Sequence, residues 1–398
     1  MSQTKQAPDR TIVLYMHIHQ PWRVRPYSLF EVGRDHNYYG PDNERVFKKV
    51  AEKSYRPMLD LLDKLLKKHP NFAFSLSITG TFIEQAELWG QDVIERLQAL
   101  VKTGRVEIVA ETYHHSLAFF YDEAEFERQV EMHQRKIKEL FDVESTSFRN
   151  TELAYNDALA EKVGQMGFKT VVAEGWDKVL GWRGPGYVYN AKSSTPLRLL
   201  LKNYRLSDDI AFRFSNKQWS EHPLSAQKYL KWAKDATVEA PLVNLFMDFE
   251  TFGEHQWADT GIFTFFEKFV EMWIKIDGHF ATVSEAAFTH EPQDVVSMPE
   301  TVTWADSERD LTAWVGNSMQ RESLQHLYSL LPAIMRRNDS KLLADFRNLS
   351  TSDHSYYMCT KYWSDGDVHA YFSAYDSPYD AFLFVSNAVR DLEYRMKT

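Results

Sequence analysis

Two acidic residues stand where chemistry could be done. Glu152 lies in the segment FRNTEL and Asp248 in MDFETFGEHQW. Each follows an apolar run and opens a polar, loop-like stretch. A carboxylate in that position is partly desolvated, which tunes it for proton transfer or nucleophilic attack. Two such groups flanking a glycosidic bond are what cleavage of that bond requires. One carboxylate of this kind is more often an ion-pair partner or a loop anchor. Two of them at strand ends, amid other polar groups, favour a functional reading.

His17 and His19 form a His-X-His pair, followed by Gln20, Pro21 and Trp22. A spacing of two on a strand puts both imidazoles on one side, as a metal site often requires. Glu111, His114, His115 and Asp248 are the residues that could complete a ligand set. The competing reading makes these histidines donors to sugar hydroxyls or props for the carboxylates. Gly253 permits a tight turn after Asp248, bringing Glu254, His255 and Trp257 back over the same place. Neither GxGxxG nor GxxxxGK[ST] occurs, so no phosphate cradle is expected, and no GxSxG elbow is present.

The elements that must position these groups alternate along the first 290 residues. Apolar, β-branched runs at 11–18, 72–79, 105–111, 146–152, 169–174, 197–202 and 242–248 predict strands. Helical spacing predicts helices over 44–68, 91–103, 123–141, 156–167 and 224–236. Such alternation implies a parallel sheet with crossover connections. The strand faces go further. Ile12, Leu14, Met16 and Ile18 make one apolar face, whereas Thr11, Val13, Tyr15, His17 and His19 make a mixed one. Val243, Leu245 and Met247 oppose Leu242, Asn244, Phe246 and Asp248 in the same way. An open, doubly wound sheet favours strands apolar on both faces. A barrel has an inner face pointing at an axis, with polar groups late in each strand at the mouth. The sequence therefore predicts an α/β fold with a distorted barrel of about seven strands over 1–290. From 291 to 398 it predicts helices (308–337, 340–348, 379–397) and no further strand.

The chain has 398 residues, 44% hydrophobic, with a net charge of −10 and no basic block. That excludes the Lys/Arg footprint a nucleic-acid partner needs. Cys359 is the single cysteine, so no intrachain disulfide can form. No signal-like or membrane-length apolar run is seen, and a reducing cytoplasm is the expected setting. The 11 Trp and 20 Tyr offer flat faces suited to sugars, although most large rings serve packing.

With these residues in place, the sequence resembles glycoside hydrolase family 57, in its α-amylase-like branch. Five blocks carry the resemblance in the family's order: His19-Gln20-Pro21, then Gly104-Arg105-Val106-Glu107, FRNTEL, MDFETFGEH, and TAWVGNSMQ with Trp314 and Asn317. The resemblance implies an incomplete (β/α)7 barrel followed by helices. It implies Glu152 as nucleophile, Asp248 as general acid/base and no cofactor. The expected substrate is an α-glucan or maltooligosaccharide, cleaved with retention. His17, His19, Trp22, Glu107, His114, His255, Trp257, Trp314, Asn317, Asp353 and His354 are expected to bind it, with the segment 353–363 closing one wall. A 4-α-glucanotransferase, branching enzyme or α-galactosidase of the same family would share this chemistry. Two rivals are a metal-dependent sugar hydrolase or deacetylase using His17 and His19, and a non-catalytic glycan-binding protein.

Overall fold

A computed structural model describes residues 10–361 and 373–397. Positions 362 and 363 of the expected wall segment fall outside them. Among these residues ten strands form: β1 (Thr11–Ile18), β2 (Phe74–Ile78), β3 (Val106–Ile108), β4 (Ser147–Arg149), β5 (Thr170–Glu174), β6 (Val188–Ala191), β7 (Arg198–Lys202), β8 (Leu242–Asp248), β9 (His279–Ala281) and β10 (Val295–Val296). All seven predicted strands are present, β1 and β8 with the predicted bounds.

Seven of these run parallel around an incomplete barrel, and β9 pairs in parallel with the start of β1. Ladders join β3, β2, β1 and β8 in one sheet and β4, β5 and β7 in the other. A single parallel bridge, Ala110 to Phe148, couples the two sheets. Between β7 and β8 no backbone ladder forms. The Asn244 amide seals that seam, donating to the carbonyls of Leu201 (2.8 Å) and Pro185 (3.0 Å). Asn203 N–H donates to Asn244 O at 2.8 Å, and Leu242 N–H to Gly186 O at 3.0 Å. Asn244 thus does with a side chain what a strand neighbour would do with its backbone.

The alternation read from sequence has its physical counterpart in two cores. Val13, Tyr15, Val109, Val172, Leu200 and Phe246 fill the barrel interior. Ile12, Leu14, Met16, Val243, Leu245 and Met247 face outward into a core shared with the helices Arg56–Lys68 and Ile262–Lys275. Side chains alternate across a strand, so neither set could have faced the other way.

The expectation of no strand beyond 291 does not hold. β10 pairs in parallel with β6, and Val302 bridges Tyr155. Two residues are too few for a periodic signal, which is why β10 escapes a reading by pattern. The later helices Ser318–Arg337, Ser340–Leu349 and Pro378–Lys397 follow. Their Leu327, Leu331, Phe346, Val385 and Val389 share one core with Phe148, Val171, Leu199 and Leu201 of the barrel wall. Among the described residues, no helix is long and apolar enough to cross a membrane.

Candidate active site

The mouth of the barrel opens into a cleft of about 1220 Å³ lined by Glu152 and Asp248 together with His17, His19, His115, Lys202, Glu250 and Trp304. Glu152 sits just past β4 in a left-handed backbone conformation (φ 58°), and Leu153 follows in the same region (φ 50°). Non-glycine residues there cost about 1–3 kcal/mol each. The turn is held from several sides: Asn150 Nδ2 donates to Ala154 O at 2.9 Å and Thr151 Oγ1 to Ser116 O at 2.7 Å. It carries Glu152 out of the strand direction and into the cleft.

Both oxygens of Glu152 are gripped. His115 Nε2 lies 3.0 Å from Oε1 and Ser352 Oγ donates to the same oxygen at 3.4 Å, while Trp304 Nε1 donates to Oε2 at 2.7 Å. Burial alone would raise this carboxyl. The His115 hydrogen bond and charge, with help from Arg149, outweigh it and hold Glu152 below the ordinary carboxylate range. His115 is itself only 2% exposed. Burial disfavours its charged form, but its contacts with Glu111 and Glu152 win and push it up to about 9.

Beneath them lies a fully buried pair, Arg149 and Glu111, both 0% exposed and 3.4 Å apart. His17 Nδ1 and His115 Nδ1 approach Glu111 at 3.4 and 3.5 Å. Burial opposes ionisation of Glu111, and the surrounding His17, His115 and Arg149 override it, holding the group well below its usual range. A second network fixes Trp304. Arg309 Nη1 donates to Trp304 O at 2.7 Å and meets Glu174 at 3.0 Å, and Lys202 lies 5.4 Å above the indole.

Asp248 ends β8 opposite His17 of β1. Burial first, and the charge of Glu152 second, push its carboxyl up to about 7. Two carboxylates in one cleft are thus driven apart, one anionic and one protonated near neutrality. That is the division of labour a nucleophile and a general acid need.

His17, His19 and His115 are the residues that could hold a metal, their ring nitrogens lying within 4.8 Å of one another. The geometry is poor for it. The His17 and His19 rings stack with planes 6° apart, so their in-plane lone pairs run side by side and do not converge. Arg149 Nη1 stands 3.3 Å from His17 Nε2, a fixed cation where the ion would sit. His19 is already engaged by Thr79 Oγ1 (3.0 Å) and Asp353 Oδ2 (2.9 Å). Strong chelators are expected to leave turnover unchanged. Elemental analysis showing one zinc per chain, lost together with activity on chelation, would reverse that expectation.

His17, His19, His255, Trp257, Trp314 and Asp353 line the cleft with the carboxylates. Five other expected binding residues are not among those that line the cleft. Glu107 shares the inward face with Glu111 but lies a turn of the pleat deeper, accepting from Ser75 Oγ, Ser147 Oγ and Ser284 N–H. His114 points away beside Tyr113. Trp22 donates to Glu84 and packs on Trp89. Asn317 caps the helix Ser318–Arg337, and His354 is 2% exposed in the core. Arg149, Lys202, Arg309 and Trp304 carry no sequence signal as site residues, and Glu250 carries only its place two residues after Asp248.

A parallel seven-stranded barrel with paired carboxylates at its mouth is the architecture of a glycosidase, and the chain belongs to glycosyl hydrolase family 57, whose family model matches residues 13–299. It is 40% identical over 406 residues to a Methanocaldococcus jannaschii protein named "Putative alpha-amylase", covering 97% of this chain and 85% of that one. Its fold is similar to that of a 4-alpha-glucanotransferase from Thermococcus litoralis (TM-score 0.67, 15% identity, 87% of this chain). The match spans 56% of that longer enzyme. A family 57 branching enzyme from Thermococcus kodakaraensis is also similar (TM-score 0.65, 13% identity, 92% of this chain and 87% of the other).

Proposed function

We propose that the protein is a retaining α-glucan-active enzyme that hydrolyses α-1,4-glucan by double displacement. The observation that carries this reading is the placement of Glu152 and Asp248 in one cleft, in surroundings that shift their carboxyls in opposite directions. Protonated Asp248 donates to the glycosidic oxygen while anionic Glu152 attacks the anomeric carbon. The leaving sugar departs and a β-linked glycosyl ester remains on Glu152. Having given its proton to the leaving sugar, Asp248 is a carboxylate, and because esterification removes the Glu152 charge it stays ionised, the form that takes a proton from the incoming water. His115 and Trp304 then face the carboxylate that must leave. Two inversions return the α configuration.

The direction of the pH dependence follows. Asp248 must begin protonated, and its carboxyl is raised to about 7, so kcat/KM should fall as pH rises through about 7. Glu152 must be ionised, and its lowered carboxyl places the acidic limb below the ordinary range. A pH–rate profile whose basic limb begins near the unperturbed aspartate value of about 4 would contradict the assignment of Asp248.

Arrival of a sugar hydroxyl in place of water would give transfer. The discriminating experiment is digestion of soluble starch and of maltooligosaccharides, with products separated by size. Hydrolysis yields only shorter chains, and transfer yields shorter and longer ones. No change in either substrate would sink the α-glucan reading.

A further inference from the structure

The lining of the cleft includes two aromatic rings that solvent touches. Phe212 is 53% and Trp257 55% exposed, and both line the cleft that holds Glu152 and Asp248. Among the described lining residues they are the two large apolar side chains more than half exposed. The helical turn Asp209–Arg213, which carries Phe212, is tied to the loop that carries Trp257. The side chain of Gln256, 3% exposed, accepts from Ser215 N–H at 3.1 Å and donates to Ala211 O at 2.7 Å. The Trp257 loop is set in place by Gly253, at φ 106°, where a Cβ would lie 1.9 Å from Lys53 O. Lys53 then covers one face of the indole, its Nζ 4.9 Å from the ring centre. Lys53 lines the same cleft as the ring it contacts.

We propose that Phe212 and Trp257 form an outer subsite for the α-glucan chain, away from the cleaved bond, that gives the enzyme its preference for long substrates. This rests on the reading of the site as α-glucan-active. An exposed ring leaves apolar surface against water, a cost that a covering ligand relieves. The occupant is identified by continuity with the catalytic cleft. A glucan is neutral, and its pyranose rings present C–H faces that stack on aromatic side chains. Gln256, by cross-linking the turn and the loop, keeps the spacing of the platforms fixed before the chain arrives, so less ordering is needed on binding.

The test compares the full chain with its Phe212→Ser, Trp257→Ala and Lys53→Met variants. The readout is the ratio of kcat/KM on long amylose to that on maltotetraose, with melting temperature as a control. The ratio is expected to fall about five-fold in the Phe212 and Trp257 variants, chiefly through KM for amylose, the scale of one aromatic contact. A smaller fall is expected for Lys53→Met. Migration in native gels containing amylose should become faster in step, a readout independent of turnover. An unchanged ratio, or parallel losses on both substrates with a lower melting temperature, would show that the rings are packing. A wild-type enzyme inert on both substrates would remove the α-glucan reading itself, and this subsite with it.

Discussion

Glu152→Ala is expected to lose turnover by on the order of 10⁴-fold or more, and azide is expected to restore part of it as a β-glycosyl azide. The reasoning is stereochemical. Azide is small enough to occupy the space the carboxylate vacates and attack from the side Glu152 would have used, so only one inversion takes place. Asp248→Ala should also be severely impaired, but in a different way. Substrates whose leaving group needs no protonation should be spared in the first step. Azide should then intercept the glycosyl ester and give an α-product after two inversions. An α-azide from the Glu152 variant would mean that the two roles are exchanged. The fold should survive both changes. Glu152 and Asp248 sit at the mouth of the barrel and neither belongs to its cores.

The second large effect concerns stability. Glu111→Ala is expected to cost roughly 3–5 kcal/mol, because it strands Arg149 as a buried, uncompensated cation. Both side chains are fully buried, so neither water nor salt can take the place of the lost carboxylate. Arg149 has no other carboxylate within ion-pair distance among the described residues, and its Nε and Nη2 already lack hydrogen-bond partners. His115 would lose one of the two groups that keep it cationic, so whatever enzyme folds should also hold Glu152 less firmly. Chemical denaturation monitored by fluorescence would measure the first effect. A midpoint equal to that of the wild type would show that the pair contributes nothing net. The paired replacement Glu111→Leu with Arg149→Met should recover much of the loss, since the penalty comes from the unpaired charge.

The barrel was largely legible because its strands carry a two-residue period with unlike faces, and that period reports which side points inward. It does not report depth. Glu107 and Glu111 lie on the same face of one extended segment, yet three donors anchor the first at the barrel floor, whereas the second lies beneath Glu152. Neighbouring histidines show the same limit. His115 turns into the cleft through a left-handed residue (φ 51°), which no composition rule signals, and His114 turns away. Trp304 and Arg309 were invisible for another reason. They belong to a loop with no periodicity, far along the chain from Glu152, and only the folded barrel brings them to it. Strands β6, β9 and β10 are four residues or fewer, too short for alternation to be distinguished from chance.

The position of β1 has a consequence for how the enzyme is made. This strand is central, with β2 along its later half and β8 along nearly its whole length. Its β8 partner lies about 230 residues further on, Thr11 opposite Leu242 and His17 opposite Asp248. At ribosomal rates of about 5–20 residues per second, β8 emerges on the order of ten to fifty seconds after β1. Through that interval one edge of an apolar strand has unpaired N–H and C=O groups, a template for any other extended chain. Growing chains on one messenger carry the same open edge at the same time. Ribosome-bound intermediates halted before residue 242 should therefore associate with one another and engage chaperones. Those extended past Asp248 should release both and acquire, in the same event, the carboxyl we propose as the acid.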